Sequence, residues 1–520
     1  MSAFLSKKDE KFREFAQNGH MGKVVLQLGL PLALYQSLNQ LFKILDTLMA
    51  SHIGNSTVSA VAYLSQINLM LSALGGGLAV GSSIKISEAY GAGKLELVKR
   101  RVSTLFSMCA ILGGGILLLL GPFTPQFLRI MNTPEEFIAE GSTYFVLELV
   151  AMVITFFNSV YIAIERVRGN SRRILYLNML VIAVKLSLTA WFVYGLQGNV
   201  TMIAIATILS QLVMLAAAVI NLNQGENVFG FSLRAIDFKG EVVKPMVKLS
   251  VPVIVEKAAF AMGKVVVNSM STVYGSLTVG ALGISNNIGG ITTMPQNGFQ
   301  EGGSAIISQN LGAEKPERAL SAFRWTLLIN VICGLLFMSL SLIFLRPLSA
   351  LFSKGDAEFA GMIAEVYRLE ALGAIPLGVN AAVMGMLYGF GKTKITLFMN
   401  FCRVFVFRIP VLWALQQFTT LGNVSVGIVM VVSNTCSGIL AAVIAAIEIR
   451  KICRSRGIKF IPSAKSLSDP NRQAHEESGV DDKGGNDSTS DGGSQAESDS
   501  QSESDSQSGD GSQSGSGSGI

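Results

Sequence analysis

Long apolar runs alternate along the chain with short polar connections. A helix needs about 20 mostly apolar residues to cross the roughly 30 Å hydrocarbon core of a bilayer. Twelve runs reach that length: 24–50, 57–84, 102–122, 143–164, 174–194, 199–221, 245–273, 277–308, 322–345, 363–388, 394–416 and 424–448. The pattern predicts an all-α integral membrane protein of twelve spans. Several runs exceed the minimum, which implies tilt or kinks. Pro31, Pro252, Pro376 and Pro410 fall inside runs and are expected to break helix hydrogen bonds where a cavity or neighbour satisfies the freed groups.

The runs fall into two related sets. Shifted by 221 residues, Pro31 meets Pro252, Gly77 meets Gly298, Gly81 meets Gly302, Ser87 meets Ser308, Gly91 meets Gly312 and Lys94 meets Lys315. Later the shift is 222, and Gly169 meets Gly391 and Asn178 meets Asn400. Coincident glycines and prolines mark shared backbone geometry. Six spans per half is an even number, so the halves are parallel repeats about an axis along the membrane normal, with a substrate path between them. The expected organisation is an N-terminal segment 1–23, an N-terminal lobe 24–221, a linker 222–244, a C-terminal lobe 245–450 and a tail 451–520.

Charge refines the picture. Of 520 residues only 15% are charged, against about 25% in soluble domains. From Pro462 onward stand 12 acids and 3 bases, which leaves 38 bases and 23 acids before it. The basic balance therefore belongs to the membrane body and argues against nucleic acid as a partner. Loops 85–101, 165–173, 222–248, 310–324 and 389–394, with both tails up to Ile461, hold 28 bases; the alternate loops hold Arg129, Arg346 and Lys354. That asymmetry predicts cytoplasmic termini. The Ser-, Gly- and Asp-rich tail from Pro462 is expected to be disordered.

Several segments carry a family signature: LPLALYQSLNQLFKILDTLMASHIG from Leu30, ISEAYGAGK from Ile86, RVRGNSRR from Arg166, MIAIATILSQ from Met202, MPQNGFQEGGSAIISQNLGAEKPERA from Met294 and MLYGFGKTK from Met386. In this order and spacing, from about Lys23 to Arg450, the chain resembles the multidrug and toxic compound extrusion (MATE) family, nearest its bacterial DinF- and NorM-like branches. The resemblance implies a two-lobe antiporter of the bacterial inner membrane. It would export drugs or other small organic compounds against an inward H⁺ or Na⁺ gradient, without a cofactor. It also makes Asp46, the acid of the family's Asp-Thr motif, the group that is protonated or binds the cation. Two lobes in one chain suggest a working monomer in the lipid bilayer.

The sequence departs from that pattern. Lys43 stands three residues before Asp46, where the family often has Asn, and shares its helix face. Lys185 and Thr189 occupy the places of an Asn and an Asp in the fifth span of the cation-binding branch. Hard cations want several oxygen ligands, so the expectation is H⁺ coupling through Asp46, Lys43 and Lys185. The repeat partner of Lys43 is Lys264. Gln36, Asn39, Glu256, Lys264 and Glu301 are candidates for the substrate cavity, although in-span amides serve by default in helix–helix hydrogen bonds. More than three residues inside the runs, seven bases, Lys43, Lys185, Lys257, Lys264, Arg368, Arg403 and Arg408, outnumber five acids, Asp46, Glu148, Glu256, Glu301 and Glu370. Such a cavity favours anionic or zwitterionic substrates. An exporter of an anionic metabolite, or a flippase of lipid-linked sugars, is therefore the alternative.

Other chemistry is not supported. Gly389 to Thr393 ends like a phosphate loop, but Met386 stands where its first glycine belongs. Three histidines and five cysteines are scattered and form no metal spacing. No compact set of catalytic groups marks an enzyme.

Overall fold

The computed structural model describes residues 5–50, 55–130, 135–223, 227–353 and 356–457. The expectation for the tail from Pro462 lies outside the described residues. Within them every regular element is helical. The N-terminal lobe comprises α1 (Lys7–Asn18), α2 (Met21–Ala50), α3 (Asn55–Gly91), α4 (Leu95–Leu120), α5 (Thr124–Ile130), α6 (Glu135–Val167), α7 (Ser171–Ala190) and α8 (Val200–Asn223). The C-terminal lobe comprises α9 (Gly240–Ser271), α10 (Ser276–Gly312), α11 (Pro316–Ile343), α12 (Leu345–Ser353), α13 (Ala357–Leu372), α14 (Ala374–Gly389), α15 (Thr393–Phe401), α16 (Ile409–Phe418) and α17 (Val424–Arg456). Eight stretches, with α7 taken together with the π-helical turn that follows it and α15 taken through to α16, are long and apolar enough to cross a membrane, and the bent pair α13 and α14 counted as one makes a ninth. The helices α2 (30 residues), α9 (32) and α10 (37) are also long enough to cross; with them the spans number twelve.

Several boundaries differ from the reading of the sequence. Residues 1–23 are not simply a polar tail. Ser6 caps α1 by accepting from the Asp9 amide at 3.1 Å, and Phe12 and Ala16 are buried. This helix touches both lobes. Asp9 takes Arg168 of the N-terminal lobe at 3.0 Å, and the Ala16 carbonyl accepts from Asn310 of the C-terminal lobe at 3.2 Å. At the other end, α17 runs past the expected boundary at 450 to Arg456 and is closed by Gly457 at φ 65°. The linker 222–244 is shorter than expected, because α8 ends at Asn223 and α9 begins at Gly240. The Asp237 amide donates to Thr104 at 3.0 Å.

The prolines divide into two classes. Pro31 and Pro252 stay inside unbroken helices. A proline removes one donor, and where α2 packs on α10 and α3 on α9 the helix runs on through that gap. Pro376 follows a real break, a bend of 48° between α13 and α14. There Gln296 satisfies the Ala374 carbonyl at 2.9 Å. Pro410 opens α16, after a π-helical turn at Cys402–Val406.

The lobes meet along α2 and α3 of one and α9 and α10 of the other. The contact follows the repeat. A Cβ on Gly77 would stand 2.8 Å from the Ile254 Cα, and one on Gly298 would stand 2.4 Å from the Ala33 Cα. Gly81 approaches Ser250 as Gly302 approaches Gly29. Gly91 abuts the Gln309 carbonyl, and Gly312 abuts that of Glu88. Each pair is the 221-residue image of its counterpart, so the seam has a pseudo-twofold axis. Small residues permit this approach, as in other membrane helix pairs.

The seam sets a test. A Cβ on Gly312 would lie 1.9 Å from the Glu88 carbonyl oxygen, which cannot rotate away. Overpacking costs about 1–3 kcal/mol. In a background without the five cysteines, Gly312→Ala is expected to raise maleimide labelling of a cysteine at buried Ser308 by about 5- to 150-fold. An unchanged rate means that this contact does not hold the lobes together.

Candidate functional site

The seam closes at the face formed by the connections between α3 and α4, α6 and α7, and α10 and α11, where α1 also lies. Just inside it Arg166 of α6 reaches Glu301 of α10 at 2.6 Å. Gln36 of α2 donates to the other Glu301 oxygen at 3.3 Å. The Gln309 amide donates to the Val167 carbonyl at 2.8 Å, and the Ser87 hydroxyl to the Ala305 carbonyl at 2.9 Å. All four bonds join one lobe to the other. A small cavity beside Glu301 is lined by Ser83, Ser87, Ser304, Ser308, Lys257 and Tyr388, among others. Ser83 and Ser304, and Ser87 and Ser308, are repeat partners, so the cavity sits on the pseudo-axis. Sequence reasoning placed Arg166 in a base-rich loop. The helix instead extends to Val167 and buries it, because Glu301 supplies a charge partner that no local pattern reveals.

Glu256 lies inside the C-terminal lobe, on the side of α9 turned toward α14 and α15. The Tyr388 hydroxyl and the Asn400 amide donate to one carboxylate oxygen, each at 2.7 Å, and the Thr396 hydroxyl donates to the other at 2.7 Å. Three neutral donors stabilise a charged carboxylate taken from water. Tyr388, Thr396 and Asn400 were not singled out as partners of Glu256. The one advance signal was Asn400, repeat mate of Asn178.

Past Gln40, which donates to the Asn287 carbonyl at 2.9 Å, Lys43 of α2 and Lys264 of α9 are exposed and within electrostatic reach of each other. Lys264 lies over the Phe260 ring at 5.1 Å, and the Arg403 guanidinium approaches the same ring at 5.4 Å. Asn39 lies on α2 one turn beyond Tyr35. In the N-terminal lobe Lys185 is buried and lies 4.7 Å from the centre of the Phe42 ring. Thr189 is buried one turn further. Asp46 belongs to α2, but its side chain lies outside those described. The structure thus brings Lys185 against the turn that carries Lys43, brings Gln36 to Glu301, and sets Glu256 apart from both.

Comparison with known proteins accords with this geometry. The MatE family model matches residues 31–191 and 252–414, one match in each lobe. The chain is 25% identical over 307 residues to a probable multidrug resistance protein, YoeA, of Bacillus subtilis (strain 168), covering 58% of this chain and 66% of that protein. It is 22% identical to the multidrug export protein MepA of Staphylococcus haemolyticus (strain JCSC1435), over 79% of this chain and 90% of that one. It is also 21% identical to an FAD transporter of Shewanella oneidensis (strain MR-1), over 75% and 87%. Among solved structures it superposes on a MATE protein in complex with MaL6 with a TM-score of 0.81 at 20% identity, covering 86% of this chain and all (100%) of that one. A MOP superfamily transporter from Pyrococcus furiosus, described as having a binding pocket of reverse polarity, gives a TM-score of 0.80 at 20% identity, over 86% and 99%.

The Arg166–Glu301 bridge can be tested apart from transport. Removing one partner of a fully buried pair costs about 3–5 kcal/mol. Glu301 keeps 24% of its side-chain surface, so the expected loss for Glu301→Gln or Arg166→Gln is smaller, about 1–3 kcal/mol. The double variant should lose less than the two single losses added together. A thermal-unfolding double-mutant cycle checks this; strict additivity means that the pair is not coupled.

Proposed function

The chain belongs to the MatE family, and on that footing we propose that it is a secondary antiporter that exports drugs or other small organic compounds in exchange for H⁺ rather than Na⁺. It is a multi-pass membrane transporter and not an enzyme. The finer reading rests first on the seam. A bridge of Arg166, Glu301 and Gln36 closes the lobes at one face, while Lys43 and Lys264 stay exposed beyond it. The bases of the connecting loops make the closed face the cytoplasmic one. The conformation is then closed toward the cytoplasm, and rocking of the lobes about the seam would exchange it for the inward-open one. The host membrane in this reading is a bacterial inner membrane, with both termini on its cytoplasmic side. One chain carries both lobes, so a monomer suffices.

Coupling falls to ionisable groups at membrane depth. Asp46 shares a helix face with Lys43, and Lys185 reaches the same turn through Phe42. Ammonium groups beside the carboxylate repel Na⁺ and leave proton exchange as the workable chemistry. Glu256 is a second proton acceptor. Three donors on its two oxygens are charge-assisted while it is ionised; protonation would weaken them and so loosen the hold of α9 on α14 and α15. The relatives described as multidrug resistance and multidrug export proteins support drug-like cargo. The FAD transporter supports anionic cargo, which the excess of in-span bases also favours.

The test is uptake of ethidium by inside-out vesicles under separately imposed H⁺ and Na⁺ gradients, for the unaltered protein and Asp46→Asn. A proton gradient is expected to drive uptake, and the variant to lower it at least about 100-fold, as befits loss of an essential proton carrier. Uptake driven by Na⁺ with no pH difference overturns the assignment of H⁺.

A further inference from the structure

We propose that the region beyond Gln40 holds an anion subsite built by Lys264, Arg403 and Arg408 with Lys43, and that the cargo is an organic anion bearing a phosphate or carboxylate group. This rests on the export reading above and names its substrate class.

The two lysines are repeat mates, presented by α2 of one lobe and α9 of the other, so the pseudo-axis relates them across the seam. Lys264 lies within electrostatic reach of Lys43, Arg403, Arg408 and Glu370. The wall behind it is organised. Arg403 and Arg408 both donate to the Asn434 side-chain oxygen, at 3.1 and 3.3 Å, and Arg408 also donates to Ser433 at 3.1 Å. Arg408 is buried, at 3% exposure. The Arg403 Nε–H is buried without a hydrogen-bond partner. Glu370, the described carboxylate of the cluster, already accepts from Ser285.

The charge balance decides the ligand. Among the described residues in electrostatic reach of Lys264, the bases Lys43, Arg403 and Arg408 join it as four cations, and Glu370 is the carboxylate. Cations gathered at membrane depth repel one another and are costly unless a counter-charge enters. An organic cation would add to the excess; an organic anion removes it. A guanidinium fork matches the two oxygens of a carboxylate or phosphate. Phe260, between Lys264 and Arg403, offers an apolar face for the rest of the molecule. Attachment to Lys43 and Lys264 at once spans both lobes, so binding would report directly on the distance between them.

The experiment uses the full-length protein in detergent and in proteoliposomes, with carboxyfluorescein as the anionic probe and ethidium as the cationic one. Fluorescence anisotropy should show carboxyfluorescein binding that weakens about tenfold or more in Lys264→Gln and in Arg403→Gln, the loss of one charge-assisted bond. Lys264→Arg should retain it, which separates a lost ligand from a misfolded protein. If carboxyfluorescein does not bind, or binds the Gln variants equally well, the subsite is overturned, even where ethidium is transported and the export reading stands. If it binds as expected but neither dye is transported, the subsite stands and the export reading falls. Displacement of the probe by adenosine monophosphate assigns a soluble phosphate as cargo; displacement by phosphatidic acid in mixed micelles alone assigns a lipid headgroup. Either displacement supports the phosphate chemistry.

Discussion

Backbone laid on backbone at the lobe seam is the constraint from which the rest follows. At Gly81, Gly298 and Gly312 even one methyl group would overlap the facing main chain. Lipid tails are as apolar as leucine, so two helices in a membrane gain little by burying grease against each other; they gain by approaching closely enough for dispersion and polar contacts. The repeat supplies that closeness twice, once through each lobe. It also makes the interface small in side-chain terms, which is what an interface that must part and re-form requires.

The seam positions the charges. Arg166 and Glu301 meet because α6 and α10 converge on the axis where α3 and α10 touch. Away from the axis the buried ionisable groups sort by environment. Glu256 has three neutral donors and sits inside one lobe. Arg408 is fixed by Ser433 and Asn434, and Lys43 and Lys264 are exposed. A bridge at the closed end, exposed ammonium groups beyond it and a carboxylate held by three donors inside one lobe are three different answers to the cost of charge at membrane depth.

The short helix α1 adds a brace that ties one lobe to the other. It is polar by composition, yet it buries Phe12 and Ala16 and bonds to Arg168 on one side and Asn310 on the other. Its contacts run to the closing face, so parting the lobes there must stretch or release them.

The sequence alone determined the number of spans, their grouping into parallel halves and the family, because the length of apolar runs and the recurrence of glycine and proline are local properties written in chain order. It also placed Gly77, Gly81 and Gly91 and their mates among the residues that matter, since a glycine conserved between two halves signals close backbone approach. Tertiary structure decided what those residues touch. Arg166 read as a loop base because its partner lies 135 residues away on α10. Glu256 read as a cavity acid because its three donors come from other helices. Pro31 and Pro252 read as breaks, and the helices run on through them where α2 packs on α10 and α3 on α9. A charge, a kink or a polar side chain in a membrane takes its meaning from the neighbour that satisfies it, and for a long-range neighbour no periodicity exists to read.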